Sequence, residues 1–243
     1  MYVYIMKILC VIPVFNEHHR LNDLIDQLKK NEYKKYNLKY LFINNGSKDK
    51  SLDLIQQSGL SYLNLKQNKG VGYALMLGFL YAKKNNFNFI VHLAGNGKMK
   101  PSEIKNFINK SSDFDFISGS RFLYGSSKKN NPFYRIILIK IFNLILKLFF
   151  KVKITDSTCG FRMFNVNIYK DFKNIFFKKE LFTYGYEYFS YGKIIKSKKI
   201  KITEVPVSMD YPSKKNYTKI RPILDWYIIA KFWLKGLTDE KKL

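Results

Sequence analysis

The first 120 residues alternate short apolar runs with amphipathic stretches, and this rhythm limits the fold more than any other feature of the chain. The apolar runs have the length and composition of strands: KILCVIPV, KYLFINN, LSYLNL, FNFIVHLA and FDFISGS. The intervening stretches have helical periodicity, over residues 18–30, 50–58, 71–84 and 102–110. Because strands that alternate with helices build parallel sheets, the pattern predicts an α/β fold with a doubly wound, mostly parallel sheet.

Each predicted strand runs into a polar or glycine-rich segment. These segments are FNE, NNGSKD, QNKGVG, AGNGK and SGSRF. In an open parallel sheet, ligands bind outside the carboxyl ends of the strands. We therefore expect the functional residues in these loops.

Composition narrows the class of protein. The chain has 243 residues, enough for one sizeable domain, and its two cysteines, Cys10 and Cys159, are too few and too far apart for a disulfide framework or a metal site. Its first residues lack a basic leader and a cleavage site, and Pro13 interrupts them, so they predict a buried strand rather than a signal peptide. A cytosolic setting fits both observations.

The net charge is +25, from 43 basic and 18 acidic residues. A field of this sign favours anionic partners such as phosphates, acidic lipids or nucleic acid. No motif that combines aromatic and basic residues for nucleic-acid recognition accompanies the charge. We therefore expect phosphate ligands and an anionic membrane surface as partners, and no nucleic acid.

Residues 133–150 predict a helix with a wide apolar face and a narrow basic one. Lys140, Asn143, Lys147 and Lys151 fall on one stripe at helical spacing, among Ile, Leu and Phe. The uncharged runs are shorter than the roughly 20 residues that span a bilayer, which favours a helix lying in the membrane interface. A helix in the core or at a dimer contact is the alternative.

The last segment repeats this composition. Trp226 and Trp233 are seven residues apart and share a helix face near Lys231 and Lys235, which suits the headgroup boundary. A core or dimer helix is again the alternative. The two segments together predict one membrane-facing surface.

Eight motifs in a fixed order carry the chemistry. They are VIPVFNE (11–17), INNGSKDKS (43–51), NKGVGYAL (68–75), AGNGKMKPSEI (94–104), SGSRF (118–122), DSTCGFRMF (156–164), EVPV (204–207) and TKIRPILDW (218–226). In this order the chain resembles the family 2 glycosyltransferases of the GT-A fold, most closely the branch of dolichol-phosphate mannosyltransferases and other polyprenyl-phosphate sugar transferases. The resemblance implies a GT-A domain over residues 1–211, which includes the interfacial helix, and an amphipathic membrane-proximal tail over 212–243.

The resemblance also implies that the first four loops bind a nucleotide diphosphate sugar. The residues concerned are Pro13, Asn16, Glu17, Asn44, Asn45, Asp49, Lys69, Gly70, Gly72 and Asn96. For Glu17 and Asp49, helix capping is an alternative that can coexist with nucleotide binding. Gly70 and Gly72 would let backbone N–H groups approach a phosphate at a helix start.

The chain departs from the family pattern where a metal is expected. The family usually has two aspartates before Gly-Ser and an Asp-X-Asp in the fourth loop, and here these positions hold Asn44-Asn45 and Ala94-Gly95-Asn96. Mg²⁺ or Mn²⁺ at a sugar nucleotide needs hard anionic oxygens, which Ala94 and Asn96 do not offer. We therefore predict no metal ligands and expect the ammonium of Lys98 to face the diphosphate instead. Solvation of Lys98 at the surface is the alternative, and a weak Mg²⁺ or Mn²⁺ dependence stays open.

The later motifs contain the residues that we expect on the acceptor side of the site. Only five basic residues are arginine, and a guanidinium in a motif is suited to bidentate phosphate binding, so Arg121 is predicted to face a phosphate. Asp156 would act as general base on an acceptor hydroxyl, or only orient groups if the acceptor is an ionised lipid phosphate. The remaining acceptor-side candidates are Arg162, Glu187, Lys219 and Arg221. An ion pair is the alternative for Arg162, and solvation on a helix face is the alternative for Glu187.

These expectations describe an inverting glycosyltransferase, peripheral to the cytoplasmic face of a membrane, that moves a sugar from a nucleotide diphosphate sugar to polyprenyl phosphate. Arg121, Asp156 and Lys98 are its predicted catalytic residues. One alternative is transfer to a glycan hydroxyl in surface polysaccharide synthesis. Another is a non-catalytic sugar-nucleotide-binding scaffold. A homo-oligomer or a membrane-protein partner stays open.

Overall fold

The computed structural model describes residues 6–30, 36–127, 133–168, 177–211 and 224–239. The fold is α/β, with helices around a mostly parallel sheet of seven strands, as the alternation predicted. The chain forms two compact units. The first unit comprises Met1–Gly97 with Met163–Thr183, and the second comprises Lys98–Arg162 with Tyr184–Leu243. The final helix belongs to the second unit, and the predicted domain boundary at residue 211 stays a prediction.

The first unit contains four consecutive parallel strands. Their bounds are β1 (Ile8–Val14), β2 (Leu38–Asn45), β3 (Ser61–Leu65) and β4 (Phe89–His92). They lie in the order β3-β2-β1-β4, with Ile12 opposite Phe42 and Cys10 opposite Val91. Because all four run the same way, their carboxyl ends lie at one edge of this part of the sheet.

Helices follow these strands as predicted. They are α1 (His18–Lys30), α2 (Ser51–Gln57) and α3 (Val71–Lys84). Helix α3 lies close to β1 at Gly78, where an added Cβ would fall 2.5 Å from a methyl group of Val11. This contact requires a residue without a side chain, since interiors pack without spare volume.

The second unit pairs two strands in parallel, β5 (Phe116–Ser120) and β7 (Ile202–Pro206). Its helices are α4 (Ile104–Ile108), α5 (Phe133–Phe150), α6 (Gly185–Lys196) and α7 (Leu224–Thr238). Strand β6 (Arg162–Asn165) includes the boundary between the two units.

The structure corrects the prediction for the last helix. Trp233 of α7 is fully buried, its indole N–H donates to the Ser157 carbonyl at 3.0 Å, and its ring lies 4.7 Å from that of Tyr191 in α6. An added Cβ at Gly192 would lie 2.7 Å from the Trp233 carbonyl oxygen, so the glycine permits this close approach. Trp233 therefore packs inside the second unit, which was the alternative, whereas Trp226 is half-buried and Tyr227 is exposed.

Candidate active site

The loops after β1 and β2 are held together by side chains from the predicted nucleotide site. Asn16 adopts a left-handed backbone conformation, with φ of 53°. Its backbone N–H donates to Ser47 Oγ at 3.0 Å, and its side-chain oxygen accepts from the Lys48 N–H at 2.8 Å. Asn16 thus fixes the relative position of two loops that the sequence assigned to the nucleoside.

Asp49 caps two helices of the first unit at once. Its carboxylate accepts from the backbone N–H of His18 at 3.2 Å and of Ser51 at 3.0 Å, and His18 Nδ1 lies 2.8 Å from Oδ2. Burial alone would raise the pKa of Asp49, but the hydrogen bonds from Ser51 and His18 outweigh it and hold the pKa at about 2. The capping alternative is therefore present in the structure, and a role of Asp49 in nucleoside binding stays a prediction. Glu17, the residue before α1, donates its backbone N–H to Ser51 Oγ at 2.9 Å.

Asn44 and Asn45 are buried at the end of β2. The Asn44 amide donates to Asn64 Oδ1 at 2.7 Å, and the Asn45 amide donates to Asn68 Oδ1 at 3.0 Å. Asn45 Oδ1 also accepts from the Lys69 N–H at 3.0 Å. Asn44 therefore bonds to β3 itself and Asn45 organises the loop after β3, and their predicted contact with the nucleoside stays a prediction.

The start of α3 differs from the predicted phosphate site. The Gly70 N–H donates to Asn68 Oδ1 at 2.8 Å, and the Gly72 N–H donates to the Thr183 carbonyl at 3.0 Å. Gly70 has a φ of 92°, and an added Cβ there would lie 2.2 Å from the Phe182 carbonyl oxygen. These glycines let residues 182–183 cross the helix start, so protein oxygens take the N–H groups that were predicted to meet a phosphate.

The fourth loop of the first unit follows β4 and lies close to β1. An added Cβ at Gly95 would fall 2.7 Å from the Pro13 carbonyl oxygen, so this position needs glycine. Asn96 directs its carbonyl oxygen toward Arg20 of α1, whose Nη1 donates to it at 3.5 Å. Arg20 was not among the predicted site residues, and its only sequence signal was the scarcity of arginine.

The same loop does not fit a divalent metal. Mg²⁺ in proteins is held by carboxylates together with substrate phosphates, and Ala94, Gly95 and Asn96 carry none. Among the residues that the structure describes, no three His, Cys, Asp or Glu side chains are grouped as a metal site would require.

The second unit contains a buried ion pair between two predicted catalytic residues. Arg121 Nε donates to Asp156 Oδ2 at 2.7 Å and Nη2 donates to Oδ1 at 2.8 Å, while the side chains are 3% and 0% exposed. The guanidinium also donates to Thr158 Oγ1 at 2.7 Å, to the Tyr211 hydroxyl at 3.0 Å and to Met209 Sδ at 3.8 Å. Glu204 supports the loop that carries Asp156, because its carboxylate accepts from the Thr155 and Asp156 N–H groups at 2.7 and 3.1 Å.

This geometry conflicts with the predicted role of Asp156 as a base. Burial would raise the pKa of Asp156, but the Arg121 guanidinium outweighs it and holds the pKa below its ordinary value. A general base must lie within hydrogen-bond reach of a substrate proton, whereas both carboxylate oxygens here are bound to Arg121 and shielded from solvent. Asp156 instead orients Arg121, and through it the hydroxyl of Tyr211.

Three cations of the second unit surround Tyr211. Lys98 Nζ lies 5.1 Å from the ring centroid, Arg135 Cζ lies 5.5 Å from it, and Arg121 holds the hydroxyl. Lys98 is 8% exposed, so it is not the solvated surface lysine of the alternative reading. Arg135 was missed as a site residue. It is buried, and its Nη1 has no hydrogen-bond partner among the described residues.

The other acceptor-side candidates differ in their placement. Arg162 is buried, with Cζ 4.1 Å from the Tyr191 ring centroid, and donates to the Glu187 carbonyl at 3.0 Å. Glu187 itself is half-buried, and burial raises the pKa of its carboxyl despite the nearby Arg162. Lys219 and Arg221 lie outside the described residues.

Helix α5 presents an exposed apolar face. Its buried residues are Arg135, Ile139 and Leu146, and Asn143 also turns inward, donating to the Thr155 carbonyl at 2.6 Å rather than joining the lysine stripe. The large apolar side chains left exposed are Phe133, Tyr134, Ile137, Leu138, Ile141, Leu144, Ile145, Leu148 and Phe149. Contiguous apolar surface of this kind marks a contact with a protein, a membrane or a ligand. None of the helices described has the length and apolar composition to cross a bilayer.

The chain matches glycosyl transferase family 2 over residues 9–172, about two thirds of its length. It is 27% identical to an uncharacterised protein of Methanocaldococcus jannaschii, over 84% of this chain and 82% of that protein. It is 28% identical to a dolichyl-phosphate beta-glucosyltransferase of Dictyostelium discoideum, over 63% of this chain and only 52% of that protein, so it spans about half of that relative's length.

A solved structure has a similar fold. Glucosyl-3-phosphoglycerate synthase from Mycobacterium tuberculosis, in complex with Mn²⁺, UDP and glucosyl-3-phosphoglycerate, superimposes with a TM-score of 0.69, covering 97% of this chain and 80% of that one. The sequences are 13% identical, so the likeness concerns the fold.

Proposed function

The chain belongs to glycosyl transferase family 2, and on that premise we propose that it transfers a sugar from a nucleotide diphosphate sugar to a polyprenyl phosphate. The dolichyl-phosphate glucosyltransferase among its relatives supports an acceptor of this class. The enzyme would act as a peripheral protein at the cytoplasmic face of a membrane, where such a lipid is accessible.

The observation that carries this proposal is the arrangement of α5. A polyprenyl phosphate combines a long apolar chain with one anionic head. Helix α5 combines an exposed apolar face with a buried arginine in its first turn, Arg135, beside Lys98 and Tyr211. Exposed apolar surface would bind the lipid chain or its bilayer. A buried guanidinium with one donor that no described residue fills would bind the phosphate.

The chemistry then needs no general base. A lipid phosphate is already ionised near neutral pH, so one of its oxygens can attack the anomeric carbon directly. The new bond joins that oxygen to the anomeric carbon, the bond from this carbon to the diphosphate breaks, and the nucleotide diphosphate leaves with the electron pair. In-line attack inverts the configuration. Arg121 and Asp156 would position Tyr211 and the cations around it, while Lys98 and Arg135 would bind phosphate oxygens.

Transfer to a glycan hydroxyl is the second candidate function, and one observation favours it. A hydroxyl acceptor needs a base, and the raised pKa of half-buried Glu187 suits that task better than the paired carboxylate of Asp156. The two candidates therefore differ in which residue they need. Phosphate as acceptor requires Arg135, and a hydroxyl requires Glu187.

The test is a transfer assay with labelled UDP- and GDP-sugars and two acceptors, a polyprenyl phosphate in detergent and a soluble oligosaccharide. We expect Arg135→Ala to lower transfer to polyprenyl phosphate about tenfold or more, since a hydrogen bond to a charged group contributes about 1.5–3 kcal/mol. Arg135→Lys should restore part of the rate. Glu187→Gln should transfer to polyprenyl phosphate at a rate within about twofold of wild type. The control Lys105→Ala, which removes an exposed cation from α4, should do the same.

Loss of transfer to the oligosaccharide in Glu187→Gln, with no transfer to the lipid by any variant, would establish the second candidate instead. Binding of nucleotide without transfer to either acceptor would support the non-catalytic scaffold.

A further inference from the structure

The fourth loop of the first unit has a charge arrangement unlike that of a metal site. Ala94, Gly95 and Asn96 carry no carboxylate, and the carboxylate of Asp49, which lies at the starts of α1 and α2, is bound to His18 and Ser51. A diphosphate leaving group still has to be neutralised by something positive. The question is therefore which group in this unit supplies the positive charge.

Arg20 is the cation that meets this loop. It lies in the first turn of α1, and its Nη1 contacts the Asn96 carbonyl at 3.5 Å. An added Cβ at Gly97 would fall 3.7 Å from Arg20 Cβ, so the helix lies against the loop along its backbone. A divalent ion bound here would face a guanidinium, which repels it.

The chemistry of a guanidinium suits this role. The first turn of α1 contains no acidic residue, and the carboxylate at the helix start, Asp49, is already bound to the backbone N–H and Nδ1 of His18. The contact with Asn96 occupies one of the five guanidinium donors. A guanidinium offers paired N–H groups that match two phosphate oxygens, which an ammonium does not.

We propose that Arg20 binds the diphosphate of the sugar nucleotide and takes the place of a divalent metal, so that donor binding by this chain is independent of metal. The proposal rests on the proposed function, because it requires a nucleotide diphosphate in the first unit. The sequence-based expectation that Lys98 faces the diphosphate stays a separate prediction, and Lys98 Nζ lies 5.1 Å from the Tyr211 ring centroid.

The test is isothermal titration calorimetry of UDP, GDP, UMP and GMP, each with Mn²⁺, with Mg²⁺ and with EDTA. Wild type should bind either UDP or GDP, and its affinity for that nucleotide should be the same, within about twofold, with Mn²⁺, with Mg²⁺ and with EDTA. Arg20→Ala should weaken that diphosphate about tenfold or more and the corresponding monophosphate much less. The affinity of Arg20→Lys for the diphosphate should lie between those of wild type and Arg20→Ala. Lys30→Ala, which removes an exposed cation from the other end of α1, should bind like wild type.

Three results would overturn the inference, and they can be told apart. Metal-dependent binding that ignores Arg20→Ala would show an ordinary metal site and leave the proposed function intact. Equal losses in Arg20→Ala and Lys30→Ala would show a general charge effect. Failure of UDP and GDP to bind the wild type in any condition would remove the donor half of the proposed function, and the inference with it. Unchanged thermal unfolding of Arg20→Lys controls for misfolding.

Discussion

The ionisation of Asp49 couples pH to the loops of the first unit. Its carboxylate accepts hydrogen bonds from the first turns of both α1 and α2, and these bonds hold its pKa at about 2 against the effect of burial. Since the free value is near 3.9, the folded state favours the ionised form. The stabilisation is fully present above about pH 4 and is lost as pH falls through about 2.

Asp49→Asn should therefore destabilise the protein by about 1–2 kcal/mol at pH 7, because a lost cap costs roughly 1 kcal/mol and Asp49 caps two helices. The difference from wild type should shrink as pH falls from 4 toward 2, where the wild-type carboxyl is also neutral. Urea unfolding of wild type and Asp49→Asn across this pH range measures the difference in their free energy of unfolding. Asp26→Asn, an exposed change on α1, is the control and should stay within about 0.5 kcal/mol. A gap for Asp49→Asn that is constant with pH would show that shape, not charge, stabilises the caps.

The sequence identified Arg121, Asp156 and Lys98 of the second unit as site residues, but it did not show which residues they contact. The scarcity of arginine marked Arg121, and its motif marked Asp156, yet 35 positions separate them and nothing in either motif shows that they pair. The pairing changes the chemistry, because it removes Asp156 as a base. Arg135 gave even less signal, since a cation on an amphipathic helix ordinarily faces solvent.

Helices α6 and α7 show how a glycine pair decides where an element lies. An added Cβ at Gly236 would fall 2.4 Å from the Phe189 carbonyl oxygen, and one at Gly192 would fall 3.1 Å from Gly236 Cα. Both obstacles are backbone atoms, which do not move like the end of a flexible side chain. The close crossing also buries Trp233 against Tyr191.

Gly236→Ala should lower the free energy of unfolding by about 1–3 kcal/mol, the usual cost of overpacking, even though alanine is the better helix former. Lys235→Ala changes the exposed neighbour on the same helix and should be nearly neutral. Chemical denaturation of the two variants beside wild type gives the comparison. Equal stability of Gly236→Ala and Lys235→Ala would contradict this prediction, because it would mean that α6 and α7 can move apart to admit a methyl group without cost.

Periodicity predicted the elements of the first unit well, because each strand and helix there carries its own pattern. Helix α1 has the predicted bounds, and so does α3. The prediction that Trp233 of α7 faces the membrane was wrong for a physical reason. Tryptophan beside lysine suits both a membrane interface and a packed helix, and the partner that decides between them, Gly192, is 44 positions from Gly236 in sequence. Composition describes a helix surface without describing what covers it.

At the scale of the whole molecule, the net charge of +25 and the exposed face of α5 both favour an anionic membrane, by different means. Charge attracts the protein from a distance that is limited by salt screening. The apolar face adds affinity only where it contacts the bilayer, and Lys140 and Lys147 are exposed on the same helix. Removing the same charge from α5 and from another part of the surface therefore distinguishes docking through α5 from a general effect of net charge.

Two double variants with matched charge make this separation. Lys140→Glu/Lys147→Glu alters α5, and Lys83→Glu/Lys84→Glu alters the exposed end of α3, so each lowers the net charge by the same amount. In flotation with vesicles containing phosphatidylglycerol, we expect the α5 variant to lose about tenfold or more in binding, since each lysine near the surface contributes about 1 kcal/mol. The α3 variant should lose much less, and raising salt should weaken the wild type. Equal losses would show that total charge alone draws the protein to the membrane, and binding unchanged in both would remove α5 from the membrane contact.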